Sequence, residues 1–305
     1  MFNFIFVFIV FVVPIRAIGN CYTPGPSFPQ ADRILNKTHF TQLAAQLDEQ
    51  VWSIWQTTPG WETNITSFAL QVTSSEEPIW DYYHTAPILG EYKDSYPTPV
   101  SGDTAFRIAS ITKTFTVYAL LLDSKINLED PITKYIPELR QRDEVEPFVW
   151  NTPHWDNITI RSLASQLSGI ARETGLSDLA VDTTLLPDPL ANGFPPVDEK
   201  WLAPCMKNST DRACNASEII QVARSRSSVF LPNERSSYSN VAFSLLGITL
   251  ERATGKTYSD ILSSYILDPL DMTNTQLSKP KDSAGIIPYG PNDWAQELGA
   301  DNPYV

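Results

Sequence analysis

The sequence predicts an α/β protein, because strand-like segments come early in the chain and helix-like segments follow them. Two segments alternate between apolar and polar residues, SFALQVTS at 67–74 and IWDYYHTA at 79–86, which is typical of paired antiparallel strands. TAFRIA at 104–109 is predicted to be a third strand. Beyond it, apolar residues recur at helical spacing, so helices are expected to form most of the remaining core.

Helices are predicted on both sides of these strands. The predicted spans are 42–56, 110–123, 162–171, 217–225, 240–254 and 257–267. In the first span, Leu43, Leu47, Val51 and Ile54 share one helical face. Residues 173–215 are rich in Pro, Asp and Asn and are predicted to form a long loop. No repeat is visible.

The N-terminus is predicted to be a signal peptide over residues 1–19. An apolar run from Phe4 to Val13 is too short to span a bilayer, and Ala17 and Gly19 occupy the −3 and −1 positions of a cleavage site before Asn20. Residues 20–60 then form an arm and a helix, and 61–305 the main domain. Secretion is expected, with no membrane attachment after cleavage.

Five N-glycosylation sequons agree with a secretory route. They begin at Asn36, Asn64, Asn157, Asn208 and Asn215. Cys205 and Cys214 bracket a short polar segment, CMKNSTDRAC, and are predicted to form a disulfide. Cys21 has no evident partner. It is a free or intermolecular thiol, or its partner lies in sequence not present here.

Charge and histidine content exclude several function classes. The chain has 22 Lys and Arg against 35 Asp and Glu, a net charge of −13, so nucleic acid and anionic membranes are not expected partners. His39, His84 and His154 show no metal-ligand spacing, and there is no G-x-S-x-G motif. Neither a metal enzyme nor a Ser-His-Asp hydrolase is predicted.

Ser110 and Lys113 stand three residues apart inside an otherwise apolar segment. After the strand, Ser110 falls at a helix N-terminus, and Lys113 projects from the same face one turn later. A serine hydroxyl needs a base within hydrogen-bond reach, and a desolvated lysine amine is able to accept its proton. Phe115, Val117, Tyr118, Leu120 and Leu121 are expected to place this helix inside the protein. The alternative is that Ser110 only caps the helix and Lys113 is solvated.

Tyr238, Ser239 and Asn240 precede a second apolar helix, which is predicted to end with Gly255 at its C-cap. A tyrosine with a lowered pKa can carry a proton, and an asparagine amide can both donate to and accept from a substrate amide. The alternative is that Tyr238 packs in the core and Asn240 caps the helix.

Together these motifs resemble those of the β-lactamase-related serine hydrolases, the penicillin-binding-protein-like family that includes class C β-lactamases, D-aminopeptidases, esterases and acyltransferases. The resemblance covers about 65–280. It is carried by FRIASITKTFTVYALLLDSKINLEDPITKYIPEL from 106, ITIRSLASQLSGIA from 158, YSNVAFSLLGITLERATGKTYSDIL from 238 and ILDPLDMTNT from 266. It implies a β-lactamase/transpeptidase-like α/β sandwich with a helical subdomain.

The resemblance also implies residue roles and a reaction without a cofactor. Ser110 is the acylated nucleophile, with its backbone N–H as one oxyanion-hole donor. Lys113 is its base partner, Tyr238 the proton carrier to the leaving group and the deacylating water, and Asn240 positions the substrate. The implied substrate is a small-molecule or peptide-like ester or amide.

Two features depart from the family pattern. Asn233 stands where family members usually have a glycine after proline, a change that a turn tolerates. The third motif, a Lys/His-Thr/Ser-Gly triplet on a late strand, is not found. Gly255-Lys256-Thr257 follows a helix and is not that motif. The C-terminal strands are also expected to be absent. A chain ending at Val305 is therefore expected to expose a sheet edge and apolar helix faces, and to be poorly soluble and nearly inactive.

The sequence is compatible with three functions. The first is a secreted serine hydrolase, and the second is an acyltransferase in which an alcohol replaces water, as in secondary metabolism. The third is an inactive or truncated member of the family.

Overall fold

A computed structural model describes residues 37–57, 65–73, 78–88, 99–140, 152–173, 188–194, 196, 214–277 and 285–286. Several predicted features lie outside these residues: the signal peptide, Cys21, Cys205, Asn36, Asn64 and Asn208. Contacts divide the chain into two compact units, one of residues 1–61 and 69–83, the other of 62–68 and 84–305. The predicted division at residue 61 stays a prediction.

The first unit contains one helix and nearly all of a two-stranded sheet. Helix α1 spans Lys37–Thr57, and strands β1 (Phe68–Thr73) and β2 (Pro78–His84) hydrogen-bond to each other. The indole Nε1 of Trp80 donates to Asp48 Oδ1 over 2.9 Å, which ties β2 to α1. The helix predicted at 42–56 and the two alternating segments thus occur where the sequence placed them.

The second unit is mainly helical. Its elements are β3 (Ala105–Phe106), α2 (Thr112–Leu122), α3 (Ile160–Ala164), α4 (Ala216–Ser225), α5 (Asn240–Thr254), α6 (Tyr258–Leu262) and β4 (Gly285–Ile286). Strands β3 and β4 pair in parallel, and a π turn over Ser263–Leu267 extends α6. This mixture of helices and strands is the α/β fold that the sequence predicts.

Helix α5 is the centre of the core. It contacts α2, α3, α4 and α6. Its side chains are buried almost without interruption from Val241 to Leu250, because nearly every position is apolar or small. Ser239 caps its N-terminus by accepting from Ala242 N, and Gly255 ends it in the left-handed conformation at φ +75°, as predicted.

Helix α3 is shorter than predicted. The expected span was 162–171, but the helix ends at Ala164 and Ser165 is its C-cap. Gln166 and Gly169 have φ values of +60° and +70°, which a right-handed helix cannot contain. The remaining residues form a loop that contacts the site described below.

Helix α2 is buried on one face only, so the expectation that it lies inside the protein is wrong for the other face. Thr116, Ala119 and Leu120 are buried. Its exposed apolar residues are Tyr118, Leu121 and Leu122, and Ile111 just before it is also exposed.

Cys214 is buried and disulfide-bonded. Because Cys205 lies outside the described residues, the Cys205–Cys214 pairing stays a prediction. Among the residues with described positions, no helix is both long and apolar enough to cross a membrane. In the same part of the chain, no three His, Cys, Asp or Glu residues are grouped to hold a metal ion.

Candidate active site

Ser110 sits in a sharp strand-to-helix connection. Strand β3 ends at Phe106, a 3₁₀ turn spans Ala109–Ile111, and α2 follows at Thr112. Ala109 has φ +43°, which is uncommon for a residue with a Cβ and marks local backbone strain. The turn leaves Ser110 exposed at the start of the helix.

The four residues identified from the sequence meet in one cluster. Lys113 Nζ donates to Ser110 Oγ over 3.1 Å and to Asn240 Oδ1 over 2.7 Å. Tyr238 OH donates to the same Ser110 Oγ over 2.7 Å. The exposed Ser110 Oγ is therefore in contact with two groups that can carry its proton, the Lys113 amine and the Tyr238 hydroxyl.

Cation–π contacts add to the cluster around Tyr238 and Lys113, and the sequence analysis did not predict them. Lys113 Nζ lies 5.0 Å from the centroid of the Tyr238 ring, and Arg172 Cζ lies at the same distance. The ring of Phe243, one helical turn after Asn240, is 5.4 Å from Lys113 Nζ. Two cationic groups thus lie near the phenol, and their charges favour the phenolate.

The pKa of Tyr238 lies below its ordinary value. Burial is the largest single influence and raises this pKa, because it disfavours the charged phenolate. The hydrogen bonds with Lys113 and Ser110, together with the charges of Lys113 and Arg172, outweigh burial. The phenol is thus easier to deprotonate than a free tyrosine, which suits a proton carrier.

Asn240 does not cap α5, so that alternative is wrong. Ser239 takes the role instead, with its Oγ accepting from Ala242 N over 3.0 Å and donating to Ala171 O over 2.7 Å. Asn240 is the first helical residue, and its side chain is free to reach Lys113.

A loop before α5 is hydrogen-bonded along the segment that follows α3. Three backbone N–H groups of the loop donate to backbone oxygens of that segment: Val229 to Gly169, Asn233 to Leu167 and Ser237 to Gln166. The first residue of α5, Asn240, donates in the same way to Arg172. All four distances are 2.8–2.9 Å. These bonds fix Tyr238 and Asn240 against Arg172. Asn233 has φ +65°, which explains why a glycine-preferring position accepts asparagine.

Gly169 is expected to be essential for this contact. A Cβ at Gly169 would lie 2.3 Å from the backbone oxygen of Phe230, and φ is +70°. Gly169→Ala should lower the free energy of unfolding by about 2–3 kcal/mol or more, through strain and displacement of the loop. Urea denaturation measures this.

Gly255→Ala is the matched control for that substitution. Gly255 has φ +75°, but an added Cβ meets nothing within 4 Å. It should therefore cost only the left-handed strain, about 1 kcal/mol. Equal losses for the two variants would show that the contact with Phe230 is unimportant.

Glu173 joins the cluster, and no signal in the sequence marked it. Its Oε1 accepts from Asn240 Nδ2 over 2.7 Å and lies 3.2 Å from Arg172 Nε. The Glu173 side chain is 17% exposed. Burial raises the pKa of this carboxyl above its ordinary value, against the opposing effects of Asn240, Arg172 and Lys113.

Curated relatives match the chain over nearly all of its length. It is 32% identical over 289 residues to "Probable hydrolase M10" of Phoma sp., covering 93% of this chain and 46% of that protein. It is 30% identical over 302 residues to "Beta-lactamase-like protein" of Arthroderma benhamiae, covering 94% and 47%. The chain thus spans about half the length of these relatives.

Solved structures with the same fold include a class C beta-lactamase mutant, at a TM-score of 0.56 and 17% identity, covering 86% of this chain and 60% of that one. A penicillin-binding protein homologue from Pyrococcus abyssi has a TM-score of 0.52 and 21% identity, covering 80% and 47%. The Beta-lactamase family model matches residues 40–304. The resemblance of the motifs is therefore confirmed, and the chain belongs to the beta-lactamase family of hydrolases.

Proposed function

We propose that this protein is a secreted serine hydrolase that cleaves an ester or amide through an acyl intermediate on Ser110. The observation that carries the proposal is the convergence of Lys113 Nζ and Tyr238 OH on Ser110 Oγ. A serine becomes a nucleophile only when a neighbouring group removes its proton, and here two neighbours are within reach. Family membership supports the same reaction type.

The reactive form has a neutral Lys113 amine and a protonated Tyr238 hydroxyl. In acylation, Ser110 Oγ bonds to the substrate carbonyl carbon while its proton passes to that amine, which becomes the ammonium ion whose charge lowers the pKa of Tyr238. That amine keeps two N–H groups, one of which stays on Asn240 Oδ1. Tyr238 then gives a proton to the departing oxygen or nitrogen as its bond to carbon breaks. The lowered pKa of Tyr238 favours this transfer.

In deacylation, water attacks the acyl carbon and gives a proton to the Tyr238 phenolate that acylation left. The bond between Ser110 Oγ and the acyl carbon breaks, and Ser110 Oγ takes its proton back from Lys113. An alcohol in place of water gives the acyltransferase, with an ester as product instead of a free acid. Product analysis by mass spectrometry distinguishes the two reactions.

A fluorophosphonate probe tests the proposal directly. The probe forms a bond from phosphorus to Ser110 Oγ and releases fluoride, so the intact mass rises by one phosphonyl group. The expected result is a single adduct on the peptide that contains Ser110. Failure to label, or labelling on another serine, would refute the assigned nucleophile.

Secretion and glycosylation are part of the same proposal. Asn157 and Asn215 are exposed in the structure, as glycan acceptors need to be. Asn215 also caps α4, since its Oδ1 accepts from Glu218 N over 3.0 Å, and Ser217 Oγ donates to it over 2.6 Å. The cap uses Oδ1 and leaves Nδ2, the atom that carries an N-glycan, available.

Two substitutions separate the glycan from the cap. In protein secreted by a eukaryotic host, Asn215→Ala and Ser217→Ala should each remove one glycan mass, read by mass spectrometry before and after glycosidase treatment. Only Asn215→Ala also loses the cap, so it should be less stable than Ser217→Ala by about 1 kcal/mol in urea. An unchanged glycan mass in both variants would remove Asn215 from the predicted acceptors.

A further inference from the structure

Glu173 is a partly buried carboxyl group in contact with the cluster, and the proposed mechanism gives it no role. Its contacts connect it to the nucleophile in three steps. Glu173 Oε1 accepts from Asn240 Nδ2, Asn240 Oδ1 accepts from Lys113 Nζ, and Lys113 Nζ donates to Ser110 Oγ. Each of the first two distances is 2.7 Å.

We propose that Glu173 is a positioning residue, which holds the Asn240 amide in the orientation that presents Oδ1 to Lys113. The inference rests on the proposed function and extends it by one residue. It concerns the orientation of the asparagine side chain and not contact between Glu173 and substrate.

The chemistry of the two neighbours determines this orientation. A lysine amine offers N–H donors to Asn240, so the group facing Lys113 must be the amide oxygen. A carboxylate only accepts, so the group facing Glu173 must be the amide NH₂. Without an acceptor at Glu173, the amide can turn over and place its own donors against those of Lys113.

The backbone alone does not fix the side chain. Asn240 N donates to Arg172 O over 2.8 Å, which places the Cα, but the amide plane still has two orientations. Glu173 removes that freedom. Arg172 Nε, 3.2 Å from Glu173 Oε1, partly balances the charge, but its own side chain is 66% exposed, so the ion pair contributes little by itself.

Loss of the preferred amide orientation should slow attack by Ser110. Lys113 Nζ would lose its 2.7 Å contact with Asn240 Oδ1 and would no longer be held against Ser110 Oγ. Displacement of a catalytic group by about 1 Å can cost about 100-fold in rate. We therefore expect Glu173→Ala to lower the rate of acylation by about 10- to 100-fold.

The test is a double-mutant cycle on the rate of fluorophosphonate labelling at Ser110. Glu173→Ala is measured in the parent and in the Asn240→Ala background, with Glu173→Gln as the conservative variant. Glutamine keeps an acceptor oxygen for Asn240 Nδ2, so Glu173→Gln should retain most of the parent rate. Without the Asn240 amide, Glu173→Ala should change the rate by less than about twofold.

Glu129→Ala is the control for removal of a carboxylate. Glu129 is 63% exposed and pairs with Arg161, neither of which belongs to the site cluster, and this change should leave labelling unchanged. Melting temperatures of all variants show whether the fold is retained.

Two results would overturn the inference alone. One is a labelled parent whose Glu173→Ala variant reacts at the parent rate. The other is a loss from Glu173→Ala of the same size in the Asn240→Ala background, which shows that Glu173 does not act through Asn240. A parent that never labels at Ser110 refutes the proposed function, and this inference falls with it.

Discussion

Ser110→Ala is expected to abolish covalent labelling by fluorophosphonate or β-lactam probes, with a loss of at least about 1000-fold in the rate of adduct formation. The reason is chemical: Ser110 Oγ is the atom on which Lys113 Nζ and Tyr238 OH converge. Alanine leaves both proton carriers in place but removes the oxygen that both of them contact. Intact-mass spectrometry after incubation with the probe gives the readout.

The fold should survive this substitution, because Ser110 is exposed. Exposed positions without special structural roles usually change the free energy of unfolding by less than about 0.5 kcal/mol. Ser124→Ala, at another exposed serine beyond the end of α2, is the matched control and should label as the parent does. An adduct that persists on Ser110→Ala would mean that another residue is the nucleophile.

The sequence predicted the parts of the site that depend on local spacing. Ser110 and Lys113 lie one helical turn apart, and their contact follows from the geometry of α2. The encounter between Ser110 and Tyr238 joins residues 128 positions apart, and only the resemblance to a family brought them together. The local pattern of residue types does not show that two residues so far apart in the sequence lie close together in the fold.

Glu173 shows why the rest of the site was missed. It follows a segment predicted as a helix, and on sequence grounds it is one of many acidic residues in an acidic chain. Its role depends on the early end of α3, where left-handed Gln166 and Gly169 turn the chain back toward α5. The predicted end of α5 at residue 254 matches the structure, whereas the end of α3 was missed because tertiary contacts set it.

The partial exposure of α2 has a similar cause. Periodicity identifies a helix and its apolar positions, but it cannot say which apolar face meets the core. Leu120 belongs to the core and is 1% exposed, whereas neighbouring Leu121 is 61% exposed. Both residues look alike in the sequence.

Lys113→Ala is expected to slow acylation by about 100- to 10,000-fold, the range for removal of a positioned proton-transfer group. The amine accepts the Ser110 proton in the proposed mechanism, and it also orders the cluster by donating to Asn240 Oδ1. The Lys113→Ala variant loses both the proton acceptor and the hydrogen bond to Asn240 Oδ1. The measurement is the labelling rate of Ser110 against the parent.

Stability separates a catalytic lysine from a structural one. Lys113 Nζ has two hydrogen-bond partners, Ser110 Oγ and Asn240 Oδ1. Its loss should therefore cost about 1 kcal/mol, the usual net value of such contacts. Lys113→Met, which keeps most of the side-chain volume, should lose activity to the same extent.

Lys256→Met is the control, because Lys256 is exposed beyond the C-cap of α5 and should keep the parent labelling rate. If Lys113→Met labelled nearly as fast as the parent, Tyr238 alone would have to accept the Ser110 proton. In that variant only the Ser110 hydrogen bond and the Arg172 charge would still lower the pKa of Tyr238. Tyr238→Phe would then slow labelling more than Lys113→Met does. In the proposed mechanism both substitutions slow the reaction, because each removes one of the two proton carriers in contact with Ser110 Oγ.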